Sequence, residues 1–258
     1  MKTPIKVTFL GTGTSGGVPM VSCSCEVCRS TDPRDKRLRT SILIETPTTT
    51  ICIDAGPDFR SQMLAHDVKN LDAILVTHGH RDHVGGLDDV RPFNFLQGKW
   101  MDIFCDEFAE QMIRDQYSYA FTNLDYAYAP KLNFVPIDQD TFTVNELEIQ
   151  PITVMHHQLP VKAFRIGDFT YITDAKAIAD AELEKIKGTK ILVINALRAQ
   201  EHNAHLTIAQ ALAMVERIKP ERAYFIHMSH HFGKHADIQP TLPANVTIAY
   251  DGLEIEIA

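Results

Sequence analysis

Residues 77–83, which read THGHRDH, constrain this chain more than any other stretch of its sequence. They follow LDAILV, an apolar run that predicts a buried β-strand. The segment contains His78, His80, Asp82 and His83. These side chains suit a hydrophobic core poorly, but imidazole and carboxylate are common ligands of zinc, iron and manganese. A loop this short cannot turn all four onto one ion, so the alternation predicts two neighbouring ions, with the first two histidines facing one and the last two residues the other.

Further candidate ligands recur downstream, again where predicted strands end. They are His156, His157, Asp174, His227, His230 and His231. A carboxylate such as Asp174 can bridge two cations, and a bridged pair about 3.5–4 Å apart can share a hydroxide formed at neutral pH. His156 and His157 are adjacent, so they cannot both point the same way from a strand.

Residues 21–28, VSCSCEVC, contain three of the five cysteines. Clustered and odd in number, the cysteines do not resemble a disulfide framework. A structural zinc site closes at four ligands, so this cluster lacks one. Cys52 and Cys105 lie in apolar, strand-like runs and are interpreted as buried thiols.

The order of predicted elements indicates two sheets packed face to face with helices outside, in one domain over residues 1–258. A formal net charge of −8 argues against a broad nucleic-acid footprint. The basic strip RDKRLR, residues 34–39, is interpreted as a solvated loop. No apolar run approaches the ~20 residues that cross a bilayer. The N-terminal segment also lacks the pattern of a secretory leader, so we expect a cytoplasmic protein without a membrane partner.

The ordered set of motifs resembles the metallo-β-lactamase-fold hydrolases along nearly the whole chain. The resemblance rests on THGHRDH, on the earlier IDAG with Asp54, and on His156, Asp174 and His227. It implies an α/β (α+β) fold, a four-layer αββα sandwich with a two-metal site at one edge. The implied ligands are His78, His80 and His156 for metal one, Asp82, His83 and His227 for metal two, and Asp174 as the bridge. It further implies that Asp54 hydrogen-bonds to the ligand loop, and it favours His156 over His157.

Within this family, FLGTGTSGGVP, CSCEVC, IHMSHHF and YDGLEI resemble the cyclic-phosphate phosphodiesterases of phosphonate degradation, which open phosphoribosyl cyclic phosphate. Their pattern carries an additional zinc, held by a C-x-C-x-x-C cluster and a histidine three residues after the last catalytic histidine. The corresponding residues are Cys23, Cys25, Cys28 and His230. A closed Cys₃His site leaves no open position for substrate, so this zinc is expected to be structural. The expected cofactors are two catalytic divalent ions, zinc or manganese, and one structural zinc.

A phosphodiester hydrolase also needs a proton donor for the leaving oxygen, and a histidine is the usual one. By resemblance His202 aligns with the family's proposed acid, while His205 fits a variant pattern about as well. Alternatively, His205 caps the helix that begins near Thr207. The candidate catalytic residues are therefore His202, His205 and the ligand Asp82, with His202 preferred. The Gly-rich GTGTSGG lacks the spacing of a nucleotide loop and is interpreted as a tight turn under the metal site.

Together these features favour a metal-dependent phosphodiesterase acting on a small cyclic phosphate or related phosphoester. The alternatives are a tRNA 3′-end processing nuclease, a thioester or lactam hydrolase, and a non-catalytic metal-binding module. Residues 106–129 contain five acidic residues and one basic residue, unlike the basic arm of that nuclease. No ligand is missing, which argues against the non-catalytic module. The fold resemblance also implies a homodimer. For the aromatic residues 117–129 three interpretations stay open: they line the pocket mouth, they bury a dimer face, or they form a loop packed on the sandwich.

Overall fold

The structure is a computed structural model that describes residues 4–122, 128–138 and 140–257. In this part of the chain the strands are β1 (Ile5–Gly11), β2 (Ser41–Glu45), β3 (Thr50–Ile53), β4 (Ala73–Leu75), β5 (Met101–Cys105), β6 (Leu132–Pro136), β7 (Phe142–Val144), β8 (Leu147–His156), β9 (Leu159–Ile166), β10 (Phe169–Ile172), β11 (Ile191–Asn195), β12 (Arg222–Ile226), β13 (Val246–Ile248) and β14 (Glu254–Ile257). The helices are α1 (Glu26–Arg29), α2 (Phe59–Ala65), α3 (Arg81–Val84), α4 (Arg91–Gln97), α5 (Glu107–Gln116), α6 (Ser118–Thr122), α7 (Asp180–Lys185), α8 (Ile208–Ile218) and α9 (His235–Ile238). Short 3₁₀ helices cover Pro33–Asp35, Leu87–Val90 and Gln239–Thr241.

The strands form two mixed sheets. The first has the order β14-β1-β2-β3-β4-β5-β6 and the second β13-β12-β11-β10-β9-β8-β7. In the first sheet β3 to β6 run parallel, and in the second β10 to β13 do. Helices flank both sheets, which confirms the predicted four-layer αββα sandwich.

Three hydrophobic layers hold the sandwich together. The layer between the sheets includes Phe9, Phe164 and Tyr171, each less than 2% exposed. Two outer layers pack helices on the far face of each sheet, and Phe59 and Phe225 are fully buried examples. Burying one such side chain contributes about 1.5–3 kcal/mol. Because both faces of the central strands are covered, β11 reads as an unbroken buried run, ILVIN, rather than an alternating one.

The carboxyl ends of the parallel strands meet at one rim of the sandwich. A short parallel bridge between Gly13 and Met228 joins the end of β1 to the end of β12 across this rim. The Thr14 amide donates to the Met228 carbonyl (3.0 Å), and the Met228 amide donates to the Thr12 carbonyl (3.0 Å). Gly11 permits the close approach of β1 to the segment before β2, since a Cβ there would lie 2.0 Å from the Arg39 carbonyl oxygen. The rim is therefore built from both sheets.

The interpretation of residues 34–39 as a solvated loop is wrong for Arg37, which is 5% exposed. Its Nη1 donates to Thr12 Oγ1 (2.7 Å) and to the Ala249 carbonyl (2.6 Å). Burial lowers the pKa of Arg37 to about 10. Two of the cysteines are buried as predicted, Cys52 at 0% and Cys105 at 1% exposure.

The aromatic segment 117–129 is only partly described, because residues 123–127 lie outside the described ranges. Tyr117 is buried and its hydroxyl donates to the Val84 carbonyl (2.8 Å), whereas Tyr119 and Tyr128 are exposed. The homodimer stays a prediction. Among the described residues, no helix combines the length and apolar character that crossing a bilayer requires.

Candidate metal centre

The THGHRDH loop connects the end of β4 to α3 at the rim. His78 and His83 are 2% and 1% exposed, and their ring centroids lie 4.3 Å apart. The His80 ring lies 4.5 Å from the His78 ring. At Gly79 a Cβ would lie 2.6 Å from the Met112 Cβ, so α5 packs directly against the loop. The loop thus turns its imidazoles inward, under a helix.

Asp54, at the end of β3, lies behind this loop and is fully buried. Its Oδ1 accepts from the Thr77 amide (2.8 Å), and its Oδ2 accepts from Thr77 Oγ1 (2.9 Å) and His83 Nδ1 (2.6 Å). Burial raises the pKa of Asp54, although His83 and Thr77 oppose this effect. The hydrogen bonds are those the resemblance implies for Asp54.

Asp174, after β10, lies between the two groups of histidines. Its Oδ2 is 3.3 Å from His83 Nε2 and 3.2 Å from His227 Nδ1, and its Oδ1 is 3.6 Å from His205 Nδ1. Burial alone would raise the pKa of Asp174, but His227 and His83 lower it well below its ordinary value. Asp82 Oδ2 lies 3.3 Å from the same His83 Nε2. Burial alone would lower the pKa of His83, yet the surrounding carboxylates raise it. The centre therefore favours positive charge.

Of the adjacent pair at the end of β8, the structure brings His156 to the cluster and leaves His157 outside. His156 Nδ1 donates to the Ala204 carbonyl (2.9 Å), and its ring lies 5.4 Å from the His80 ring. His157 is exposed, with φ +57° in the hairpin turn. The contacts agree with the preference for His156.

The two candidate acids differ in depth. His205 is 9% exposed, and its ring lies 4.5 Å from His156 and 4.9 Å from His227. His202 is half-buried, with its ring 5.0 Å from His205. Burial lowers the pKa of His205 to about 3. This geometry favours His205 for contact with the reacting atoms, the reverse of the sequence-based preference.

The alternative role of His205 as a helix cap is wrong. Thr207 caps α8 instead: its Oγ1 accepts from the Gln210 amide (3.2 Å), and its own amide donates to Gln210 Oε1 (3.0 Å). His205 is therefore free of a capping role, and its ring turns toward Asp174.

Three buried imidazole nitrogens in this centre make no hydrogen bond among the described residues. They are His78 Nε2, His205 Nδ1, and His83 Nε2, which lies only at ion-pair distance (3.3 Å) from Asp82 and Asp174. Buried polar atoms are normally paired, and leaving one unpaired costs about 1–3 kcal/mol. Cations that accepted these lone pairs would remove that cost, so the residues fit a metal centre.

At the rim there are two sets of possible ligand atoms. Within each set the atoms all lie within 4.8 Å of one another, and both sets contain Asp174. They are His78, His83 and Asp174, and His156, Asp174 and His205. The shared carboxylate agrees with the expected bridge. The membership differs from the sets implied by the resemblance, because His78 groups with His83, and His205 joins His156. The expected ligands did not include His205, which lies in the β11–α8 loop. The variable spacing of histidines in that loop does not predict a contact with His156 and Asp174.

The cysteine cluster lies against the segment that follows β12. Cys23 Sγ and Cys25 Sγ lie 3.2 and 3.4 Å from His230 Nδ1, and the ligand atoms of Cys23, Cys25, Cys28 and His230 are within 4.8 Å of one another. The Cys28 amide and His230 lower the pKa of Cys25 to about 6, whereas burial raises the pKa of Cys28 to about 11. His231 is exposed and stacks on His230 at 3.9 Å. The structure thus brings the three thiols of one short segment to a histidine some two hundred residues away in sequence.

Three residues of the metal centre have left-handed backbone conformations: Asp54 (φ +64°), Asp174 (φ +54°) and His227 (φ +59°). Asp54 and His227 directly follow a strand, and Asp174 lies two residues after β10, where the chain turns off the sheet. Left-handed conformations are uncommon outside glycine, although aspartate, asparagine and histidine are enriched there. The turns direct these side chains back over the rim.

Comparisons with known proteins agree with this geometry. Residues 49–228 match the family model described as "Beta-lactamase superfamily domain". The chain is 41% identical over 253 residues to a protein of Porphyromonas gingivalis named "Octanoyltransferase"; the match covers 97% of this chain and 51% of the relative. The chain therefore spans about half the length of this curated relative.

Solved structures give closely similar folds. A crystal structure of a "New Diphosphatase from the PhnP Family" has a TM-score of 0.93 and 35% identity, covering 100% of this chain and 98% of that one. Zn(2+)-bound PqqB from Methylobacterium extorquens has a TM-score of 0.77 and 18% identity, covering 97% and 99% of the two chains. At that identity the second match shows the fold alone.

Proposed function

We propose that this chain, which belongs to the beta-lactamase superfamily and has the fold of its metal-dependent hydrolases, cleaves a phosphoester bond in a small molecule. The bond is a cyclic phosphodiester or a related phosphoester or diphosphate. The observation that carries the proposal is the convergence of unpaired, buried imidazole nitrogens on Asp174. The similarity to a diphosphatase along the full length of both chains supports phosphorus as the centre of reaction. The acidic net charge of −8 supports a small substrate rather than a nucleic acid.

The proposed centre holds two divalent ions, zinc or manganese, with Asp174 shared between them. His78, His83 and His156 provide the closest donors, and His80, Asp82 and His227 lie next to them. Such a pair, when bound, supplies Lewis acidity and a hydroxide at neutral pH. Asp54 keeps the proton of His83 on Nδ1, so that Nε2 presents its lone pair to the centre.

The leaving oxygen needs a proton, and we assign its donation to His205. Its buried ring contacts His156 and His227, whereas half-exposed His202 lies on its outer side. Burial lowers the pKa of His205 to about 3 in the protein alone. A bound phosphate anion would raise that pKa, because a nearby negative charge favours imidazolium.

We further propose that Cys23, Cys25, Cys28 and His230 hold a structural zinc. Four donors close a tetrahedral site and leave no position for substrate. The site would tie the N-terminal loop to the segment that carries His227. The metal-loaded protein should therefore contain about three ions per chain.

The assay is hydrolysis of bis-(p-nitrophenyl) phosphate by protein loaded with zinc or manganese, its metal content measured in parallel. The adjacent histidines give a matched pair of variants. His156→Ala should lower the rate at least 100-fold, because it removes a donor, whereas exposed His157→Ala should stay within twofold of the unsubstituted protein. A fully loaded protein that turns over neither this diester nor a diphosphate such as ADP-ribose would refute the proposal.

Thioester hydrolysis is the second candidate, because one relative is named for transfer of an octanoyl group. Metal ions polarise carbonyl as well as phosphoryl oxygens, so the same kind of centre can support attack of hydroxide on an acyl carbon. Octanoyl-N-acetylcysteamine tests this candidate, with the released thiol measured by Ellman's reagent. Thioester cleavage without phosphoester cleavage would replace the leading proposal.

A further inference from the structure

Three histidines of the proposed metal centre have their Nδ1 in contact with another group of the protein. Nδ1 of His83 contacts Asp54 Oδ2 at 2.6 Å, Nδ1 of His156 contacts the Ala204 carbonyl at 2.9 Å, and Nδ1 of His78 contacts Thr77 Oγ1 at 3.0 Å. Such outer contacts fix which nitrogen carries the proton and leave the other to bind metal. In these three rings the nitrogen left for metal is Nε2.

His227 has the opposite orientation. Its Nδ1 lies on the side of the centre, 3.2 Å from Asp174 Oδ2 and 3.4 Å from Thr173 Oγ1, whose own proton goes to Asp174 Oδ2 (2.6 Å). Its Nε2 lies 3.0 Å from Thr14 Oγ1. The ring is 1% exposed, so Nε2 has no access to bulk water. Thr14 is therefore in the position that Asp54 has for His83, but on the other ring nitrogen, and it comes from the sheet opposite the one that carries His227.

The backbone holds Thr14 firmly in this place. Its amide donates to the carbonyl of Met228, the residue after His227 (3.0 Å), and its carbonyl accepts from the Gly17 amide (2.8 Å). Gly13 lets the loop lie against residues 37 and 38, since a Cβ there would be 3.0 Å from atoms of both. Thr14 and His227 thus belong to one hydrogen-bonded unit, which fixes the Thr14 backbone beside the His227 ring.

We propose that Thr14 is a positioning residue of the metal centre. Its hydroxyl accepts the Nε2 proton of His227 and leaves the Nδ1 lone pair facing Asp174, where the second ion would bind. The GTGTSGG loop therefore contributes chemistry to the site beyond a tight turn. This inference rests on the proposed function, because it assigns a role toward ions of the proposed pair.

Thr14→Val tests the role, since valine keeps the shape and removes the hydroxyl, and Thr14→Ser restores it. Ser15→Ala, at the exposed neighbouring position, is the matched control. The readout is the rate of zinc loss to a chromogenic chelator. Outer contacts of this kind typically affect metal affinity 10- to 100-fold. We expect Thr14→Val to lose one ion at least tenfold faster, with Thr14→Ser and Ser15→Ala within about threefold of the unsubstituted protein. Equal rates for Thr14→Val and the unsubstituted protein would overturn the inference.

A second measurement does not depend on activity. Nitrogen-15 chemical shifts of the imidazole rings report the tautomer, and the His227 signal is assigned by its loss in His227→Asn. In zinc-loaded protein at pH 8 we expect the proton on Nε2, because the ion would replace the proton that the Asp174 carboxylate favours on Nδ1 in its absence, and we expect a shift toward the Nδ1–H form in Thr14→Val. A proton on Nδ1 in the unsubstituted protein would overturn the inference. If the unsubstituted protein binds no ions in the rim site, the proposed function fails first; if it binds them and Thr14→Val behaves identically, only the role of Thr14 fails.

Discussion

Replacing Asp54 by asparagine should release metal from the rim site while leaving the fold intact. The remaining amide oxygen can still accept from the Thr77 amide, as Oδ1 does now at 2.8 Å. The amide nitrogen would then replace Oδ2, which lies 2.6 Å from His83 Nδ1, so two donors would face each other. His83 can relieve this conflict by moving its proton to Nε2, the nitrogen that faces Asp82 and Asp174. A protonated Nε2 cannot bind metal.

The size of the effect follows from these contacts. If the ring does not change tautomer, two buried donors stay unpaired, and each costs about 1–3 kcal/mol. If it does, the metal loses a ligand or must displace a proton. Losses of outer contacts typically lower metal affinity 10- to 100-fold, which corresponds to about 1.4–2.8 kcal/mol. Burial raises the pKa of Asp54, so its charge is costly in the metal-free protein, and asparagine removes that cost. The melting temperature of the metal-free variant should therefore change by only a few degrees.

The assay is a competition titration against a chromogenic chelator, combined with thermal unfolding of the metal-free protein. Asp72→Asn is the matched control: it lies just before β4, at the opposite end from the rim site, and its Oδ2 accepts only from the Thr50 amide (2.8 Å) among the described backbone groups. Wild-type metal affinity in Asp54→Asn would refute the reasoning. So would loss of folding in Asp54→Asn without metal, since it would mean that the carboxylate acts chiefly on the fold.

Three further predictions address other parts of the molecule. His205→Ala should lower phosphodiester turnover 10²- to 10⁴-fold, which is the usual contribution of a positioned acid or base, and His202→Ala should lower it less than tenfold. A larger loss in His202→Ala than in His205→Ala would identify His202 as the acid. In metal-free protein the rate of Cys25 alkylation by iodoacetamide should rise with pH as the thiolate forms, with a midpoint near pH 6, while buried Cys28 should react only above about pH 11. Peptide mass spectrometry measures both rates, and a Cys25 midpoint near about pH 8.5, the ordinary value for a thiol, would contradict the lowered pKa. Cys28→Ser should lower the metal content by one ion per chain and leave the two rim ions in place, whereas loss of all three would show that the cysteine site also holds the rim together.

The positions of the THGHRDH loop and of Asp54 could be predicted from sequence because both follow strands directly. A strand end fixes where the next few side chains point, so motif and geometry are closely linked there. The fold class followed for the same reason, since the alternation of strands and helices is a local property. The pairing of the cysteine cluster with His230 required family resemblance, because nothing in the local sequence connects residues two hundred positions apart.

What the sequence did not indicate depends on loops and long-range contacts. The depth of His205 relative to His202 is set by how the β11–α8 loop folds over His156, and their spacing is compatible with either. Arg37 resembles its charged neighbours in sequence, yet it is buried because the Thr12 and Ala249 oxygens accept its protons. The contact between Thr14 and His227 exists only because the ends of β1 and β12 are joined. No local pattern encodes such a contact.

The left-handed turns at Asp54, Asp174 and His227 give the rim backbone conformations that are energetically unfavourable for residues other than glycine. Such a conformation costs a non-glycine residue about 1–2 kcal/mol. Glycine at any of the three would relax the backbone and would remove a proposed metal ligand or its support. Selection for thermal stability alone would therefore favour glycine at these positions, and the resulting variants would be more stable but would lose the proposed site. Engineering this protein for stability should keep these three residues unchanged.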